Sequence, residues 1–423
     1  MNEDLLQYIW LSGMFDIHNL KTTDGKIVEI LKRGKLNKHA GPDFLEAQLK
    51  IDDTLWIGNV EIHLYASLWN SHQHQEDEAY NNTILHVVLN EDVTCFRKDG
   101  SPLPCLEIGK RINHQIISKY EFLRQNSLWV PCAEFLNKID HFTVTQMLDR
   151  MMIQRLEHKT DLVKEWLKKV KNDWHSVFYY ALARSFGFGT NSEAFEQLAL
   201  QLPLSILAKY KSNLMQIEAL VFGVSGFLNQ EHLDDYHLTL QKEWHFLSQK
   251  HGLKSPDMKT FKFMRMRPGN FPTIRLAQFA ALIHQSNHLL SQLLDEDDVH
   301  QIISFFKIEA SEYWQTHYLF GKLSKKHASN LSISAIQNIM INGVVPVLFV
   351  YGQMIGNDSI CQKALNILHQ LPSESNQVIA QWSNYGVHSR TAFDSQALLE
   401  LKKNHCDLRN CLNCKIGNKI LIN

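Results

Sequence analysis

The sequence predicts two fold classes in one chain: an α/β domain over residues 1–128 and a larger all-α domain over residues 129–423. Three observations predict this. Short apolar runs of strand length, separated by turn residues, fill the first part. From Thr143 onward the apolar period lengthens to that of a helix. Finally, 423 residues with 44% hydrophobic and 21% charged side chains are too many for one ordinary domain and too apolar for disorder.

The elements follow in order. Residues 3–14 (EDLLQYIWLSGM) have the spacing of an amphipathic helix. Strand-like runs cover residues 26–30, 47–51, 55–64, 83–89 and 103–108. Asp52-Asp53 between the second and third is a turn signal, which makes that pair a hairpin. The polar segment 71–82 has room for a short helix. The order is therefore helix, strand, strand, strand, helix, strand, with one further strand after it. Residues 144–170 then carry Met147, Met151, Leu156, Leu162, Leu167 and Val170 among many charges, as a long half-exposed helix does. Further helical blocks cover 174–186, 192–200, 204–210, 214–222, 234–250, 273–283, 296–306, 332–354, 360–371 and 394–403. Pro203, Pro268, Pro272 and Pro372 punctuate them.

Composition excludes several classes of function. Lys+Arg 43 against Asp+Glu 44 rules out whole-chain polyelectrolyte attraction to nucleic acid, although a local basic groove stays open. The apolar stretch 343–351 contains Pro346 and falls short of the ~20 residues of a membrane span, so no membrane partner is expected. The acidic start Met1-Asn2-Glu3-Asp4 lacks the basic region of a signal peptide. Seven cysteines, three of them in the last eighteen residues, suit a reducing cytoplasm with a metal site better than a disulfide framework. Nothing in the pattern sets an oligomeric state.

The chemistry concentrates in the first domain. Asp43, in Gly41-Pro42-Asp43-Phe44, precedes a strand, and seventeen residues separate it from Glu61 in Asn59-Val60-Glu61-Ile62-His63. On a strand Glu61, His63 and Tyr65 share one face. The hairpin can bring Asp43 beside Glu61, and two carboxylates at one point repel unless a divalent cation lies between them. Such a cation, Mg²⁺ or Mn²⁺, activates water and stabilises charge on a phosphate.

This arrangement resembles the PD-(D/E)-x-K nuclease superfamily over about 90 residues: Pro42-Asp43 stands for its PD, and Glu61-Ile62-His63 for its E-x-K. The element order resembles that superfamily's core as well. The resemblance implies metal-dependent phosphodiester hydrolysis of DNA or RNA. Asp43 and Glu61 would hold the metal, and His63, in the lysine's place, would orient or deprotonate the attacking water. Nearly end to end, the chain also resembles a bacterial domain-of-unknown-function family. That likeness rests on His39-Ala40-Gly41-Pro42-Asp43-Phe44, Gly58-Asn59-Val60-Glu61-Ile62-His63, Ile84-Leu85-His86-Val87-Val88, Arg267-Pro268-Gly269-Asn270-Phe271-Pro272 and the cysteine-rich end. It implies no activity.

Two further clusters stand out. His63, His72, His74 and His86 fall within 24 residues, where an even spread of the 22 histidines would place about one. His72 and His74 are candidates for a zinc-type site or for contact with a substrate phosphate, and His86 is expected in the core. At the other end, His405-Cys406-x4-Cys411-x2-Cys414 is the sharpest metal signal, because a C-x2-C pair binds one ion without strain. Cys132 is the best remote fourth ligand, with His405 as the nearer choice. One early and three late cysteines also resemble the iron–sulfur-stapled subset of the same superfamily, so zinc and an iron–sulfur cluster both stay open.

The segment 259–275 (KTFKFMRMRPGNFPTIR) interleaves Arg265, Arg267 and Arg275 with phenylalanines, a pattern that could contact a phosphate backbone. Nucleic acid is accordingly the partner class to expect. Two rival readings stand beside the nuclease: a catalytically silent nucleic-acid-binding or scaffold protein, favoured by histidine in place of lysine, and a zinc hydrolase acting on a small molecule through the histidine cluster.

Overall fold

The computed structural model describes residues 1–231, 233–255 and 260–422. It divides into two compact units: Met1–Asp149 with Asn384–Val387 and Glu400–Asn423, and Arg150–Ser383 with His388–Leu399. The first is an N-terminal α/β region with a mixed sheet, and the second is larger and helical. The units differ from the expected boundary between residues 128 and 129 at three places: residues 129–149, 384–387 and 400–423 all group with the α/β unit. The reason for the last is burial: the helix Lys415–Ile422 hides Ile416, Ile420 and Leu421 there, packing on the helix His114–Gln125.

In the first unit, helix α1 (Glu3–Ser12) starts at Asn2, whose side chain accepts from Leu5 N, and stops at Gly13 in the left-handed region. It buries Leu5, Leu6, Ile9 and Trp10. Strands β1 (Val28–Lys32), β2 (Lys35–Leu36), β3 (Phe44–Ile51), β4 (Thr54–Tyr65), β5 (Thr83–Asn90) and β6 (Cys105–Glu107) form one sheet in the order β1-β3-β4-β5-β6, with β2 on β3. The β1, β3 and β4 pairings are antiparallel, and the β4, β5 and β6 pairings are parallel. Strand β5 is buried along Thr83–Val88, on both faces, which is why it reads as an unbroken apolar run. The expected hairpin is present: Asp52, in the left-handed region, turns β3 into β4.

One irregularity matters for the site. The register shifts by one residue between Phe44↔Val60 and Ala47↔Gly58, and Glu46 lies at φ +60. This bulge lets Phe44, Ala47, Leu49 and Ile51 all point into the core although Phe44 is out of phase with the other three. It also sets the face on which Asp43 emerges. Gly58, at the same place on β4, is needed for close approach, because a Cβ there would meet Ile84 Cγ2 at 2.5 Å and Asn82 O at 2.6 Å.

The second unit is built from helices such as Trp174–Phe186, Leu214–Val224, Asp235–His251 and Pro272–Gln285, close to the expected spans. It is not purely helical: His317–Leu319 and Lys322–Leu323 pair as a short hairpin. The block expected over 332–354 is Ile333–Ile339 and Val345–Ile355 joined by a wider turn at Met340–Val344. Together, Ile333–Ile355 are long and apolar enough to cross a membrane, and 72% of that window is buried inside the protein. The sequence expectation of no such segment overlooked it because Gln337, Asn338 and Asn342 interrupt the apolar run.

Glu218 is the notable polar group of this unit. It is 1% exposed and accepts from Ser311 Oγ at 2.9 Å and from the Tyr236 hydroxyl. Burial pushes its carboxyl up to about 7, against the pull of those hydroxyls. A carboxyl raised above its unfolded value binds its proton more tightly in the folded state, so stability falls as pH rises through that range. Glu218→Gln should therefore stabilise the protein more at pH 8 than at pH 5, the difference being on the order of a few kcal/mol. Thermal unfolding at the two pH values checks this, and equal gains at both would contradict it.

Candidate functional site

The site forms where β3 enters the sheet. Because Phe44 pairs with Val60, Asp43 stands opposite Glu61. The two carboxylates lock onto each other's backbone: Asp43 N donates to Glu61 Oε2 at 3.0 Å, and Ile62 N donates to Asp43 Oδ2 at 3.0 Å. Gln7 Nε2 on α1 holds the other oxygen, Asp43 Oδ1, at 2.8 Å. Glu3, one helical turn earlier, reaches the same region, with Glu61 and His72 both acting on its carboxyl. The meeting of Asp43 and Glu61 is thus a consequence of register.

The imidazoles arrive by a different route. Helix α2 (Leu68–Ser71) follows β4, and the chain turns at Gln73, which is in the left-handed region. His72 N donates to Leu68 O at 2.9 Å and His74 N to Trp69 O at 3.1 Å, so both histidines are placed by the same turn. Trp69, 1% exposed, anchors it by donating from Nε1 to Phe96 O. His63, His72 and His74 each present a ring nitrogen, and these atoms lie within 4.8 Å of one another. Glu61 Oε1 is 3.4 Å from His74 Nε2 and 3.5 Å from His63 Nε2. His74 stacks on Tyr80 at 3.9 Å between ring centroids.

His86 is in the core, as expected, and it also has a role at the site. It pairs with Glu61 across the parallel β4–β5 ladder, and its Nε2 is 2.9 Å from His63 Nδ1. One proton is shared between those nitrogens. If His63 carries it on Nδ1, its Nε2 is left as a lone pair facing Glu61 and His74. This is the orienting partner that a metal-ligating histidine requires.

Electrostatics follow from this crowding. Burial, then the charge of Glu61, raises the Asp43 carboxyl to about 7 despite the hydrogen bonds from Ile62 and Gln7. Burial, then His86, His74 and His72, lowers His63 to about 2. Burial lowers His86 to about 3. The Tyr80 hydroxyl is pushed up to about 12 by burial and by the two carboxylates. The site therefore holds neutral imidazoles at His63 and His86 beside carboxylates that repel each other. Among the described residues His74 Nε2 is buried with no hydrogen-bond partner, its approach to Glu61 lacking hydrogen-bond geometry. Neutral imidazoles, paired carboxylates and an orphaned ring nitrogen fit a divalent cation. Asp43, Glu61, His63, His72 and His74 could hold one.

The other expected residues fall elsewhere. Arg265 and Arg267 are exposed on the segment after Phe263, in the helical unit. Arg275, expected at a phosphate, is 8% exposed instead. It donates to Gln278 Oε1 and Asn270 Oδ1, and its guanidinium sits 4.2 Å over the Phe188 ring. Its position on a buried helix face decides this, and the phenylalanines beside it pack among Phe195, Phe227 and one another. Lys259, in the same expected segment, lies outside the described residues. Cys132, Cys406, Cys411 and Cys414 are all buried in the α/β unit. The sequence reading missed Gln7, Tyr80 and the pairing role of His86. A signal for Gln7 was present: Glu3 and Gln7 are four apart on one helix face, beside the apolar face of Leu5, Leu6, Ile9 and Trp10.

A family described as Protein of unknown function (DUF2851) matches residues 3–377. No curated protein and no solved structure matches the chain. The raised Asp43 carboxyl gives a direct check of the site. Glu61→Gln removes the second cause of that rise, so the Asp43 carboxyl should titrate below about 7 in this variant, read by carbon NMR of aspartate-labelled protein. An unchanged value would mean that the two carboxylates do not interact.

Proposed function

The chain belongs to this DUF2851 family, whose description assigns no activity, so its chemistry has to come from its own residues, and we propose that it is a divalent-metal-dependent phosphodiester hydrolase acting on nucleic acid. The observation that carries this reading is the meeting of Asp43 with Glu61, each carboxylate hydrogen-bonded to the other's strand. Support also comes from the element order: α1, then β1, β3 and β4 antiparallel, then α2, then β5 parallel to β4. That is the order on which the PD-(D/E)-x-K resemblance rests, with Asp43 entering β3 and Glu61 and His63 on β4.

A divalent ion bound here would supply charge stabilisation on a phosphate and a more acidic water. Asp43 and Glu61 would be its anionic ligands. His63 is the residue whose role the geometry changes. A group held down to about 2 is a weak proton acceptor at neutral pH, so His63 serves as a neutral ligand or orienting group rather than as the base. His86 fixes its tautomer. His72, the exposed member of the three, is the one that can reach a phosphate in solvent. Carboxylates alone suit Mg²⁺, and the added imidazoles move the preference toward Mn²⁺.

A second reading has its own observation. Three imidazoles within 4.8 Å, with Glu61 beside them, also suit zinc, and a zinc hydrolase of small phosphodiesters would use the same residues.

Cleavage of labelled single- and double-stranded DNA and RNA with Mg²⁺ or Mn²⁺ tests the proposal. Cleavage by the wild type, falling on the order of a hundredfold or more in Glu61→Ala, is the expected outcome. Binding without cleavage would favour the silent nucleic-acid-binding protein. Zinc-dependent hydrolysis of bis(p-nitrophenyl) phosphate with polynucleotides untouched would favour the second reading. Metal affinity should also depend on pH, because the ion competes with the Asp43 proton. Between pH 8 and pH 6 the Mn²⁺ affinity measured by calorimetry should drop about tenfold. A pH-independent affinity would place the ion away from Asp43.

A further inference from the structure

Cys132 is separated from Cys406, Cys411 and Cys414 by more than 270 residues, yet the fold gathers all four into the α/β unit, near enough for Cys411 and Cys414 to act on Cys132 and for all three to act on Cys406. Several ties do this. Arg409, in the left-handed region at φ +54, turns the chain between Cys406 and Cys411. Its guanidinium donates to Leu123 O at 3.4 Å, to Asn126 Oδ1 at 3.4 Å and to Asn126 O at 2.5 Å. Asn126 Nδ2 in turn donates to Pro131 O at 3.0 Å, next to Cys132. Lys402 Nζ sits 5.0 Å over the ring of Trp129, three residues before Cys132. The terminal helix presses on the same loop: a Cβ at Gly417 would meet Cys411 O at 2.2 Å, and Asn418 N donates to Cys414 O at 2.8 Å.

The four thiols are 7–8% exposed and none is in a disulfide. Burial raises Cys132, Cys406 and Cys411 above the ordinary thiol range. Their neighbours add to it: Cys414 and Cys411 act on Cys132, and Cys132, Cys414 and Cys411 act on Cys406. With no metal bound, this burial favours the protonated form at Cys132, Cys406 and Cys411, and thiols make poor hydrogen bonds. A bound metal reverses this, because it takes the thiolate form and releases the protons. Four thiolates around zinc, or around an iron–sulfur core of like charge, carry a net charge of about −2. Two cations lie nearby: Lys402, which also pairs with Asp407, acts on Cys406, and Arg409 acts on Cys411, each lowering its thiol.

We propose that Cys132, Cys406, Cys411 and Cys414 hold one thiolate-ligated metal centre, zinc or an iron–sulfur cluster, which fastens the end of the chain onto the α/β unit. The centre is structural: its ligands are buried, it uses none of Asp43, Glu61 or the three clustered histidines, and it holds residues 126–132 and 402–414 together. It is independent of the hydrolase reading.

The test uses the full-length protein purified without oxygen from cells supplied with both zinc and iron. A His72→Ala, His74→Ala background keeps the other cluster from contributing metal. The expected result is about one equivalent of zinc, or iron with matching acid-labile sulfide and visible charge-transfer absorption. Cys411→Ser and Cys414→Ser should lose most of that metal and unfold at lower temperature, while Cys361→Ser, at a thiol outside the cluster, should keep it. If the serine variants fail to fold, thiol labelling of the parent protein decides. Four thiols should react with a maleimide only after strong chelation. Less than about a tenth of an equivalent of either metal, with the same thiol reactivity before and after chelation, would overturn the proposal. Loss of this metal in Glu61→Ala would overturn its independence, so the two readings fail separately.

Discussion

The candidate site at the sheet depends on bringing two carboxylates, Glu61 buried and Asp43 half-buried, to one point. Asp43 and Glu61 repel each other, and among the described residues no lysine or arginine side chain is hydrogen-bonded to either. What holds them is backbone: two N–H groups, one from each strand, plus the amide of Gln7. Those hydrogen bonds only moderate the cost, as the raised Asp43 carboxyl records. A fold that maintains such a pair gains from whatever positive charge arrives between them, which is the physical basis for the metal reading.

The surrounding architecture serves that point. The bulge at Glu46 shifts β3 by one residue so that Phe44 can stay in the core while Asp43 faces Glu61. Without it, strict alternation would place either the phenylalanine or the aspartate wrongly. Strand β5, buried along nearly its whole length, carries two polar side chains into the core, Thr83 and His86, and His86 meets His63. The turn after α2 then brings His72 and His74 over the same place. Three separate devices, a bulge, a buried strand and a left-handed turn, converge on one small volume.

The two clusters divide the chemistry by ligand hardness. Oxygen and imidazole donors gather at the sheet, with one side open to solvent at His72. Sulfur donors gather in a buried place under the terminal helix. Open sites with water-accessible positions suit catalysis, and closed sulfur sites suit structure. On the two proposals, the sheet site would receive a substrate and the cysteine centre would fasten residues 402–414 to the α/β unit.

The sequence by itself determined what depends on near neighbours. Apolar periods placed five strands and most of the longer helices within a few residues, but not the helices His114–Gln125, Leu289–Asp295, Gln377–Asn384 and Lys415–Ile422. The Asp52-Asp53 turn marked the hairpin, and Glu61 and His63 share a strand face because they are two residues apart. Only the tertiary structure decided what depends on distant segments. It decided that Asp43 meets Glu61 across a bulged register, that His86 orients His63, and that residues 400–423 belong to the α/β unit rather than to the helical one. It also buried Arg275, which local sequence had marked for a phosphate, and it brought Cys132 into one unit with cysteines more than 270 residues away. Local periodicity carries no information about register shifts or about which surface a chain end will cover, because both are settled by burial and hydrogen bonding between segments that meet only after folding.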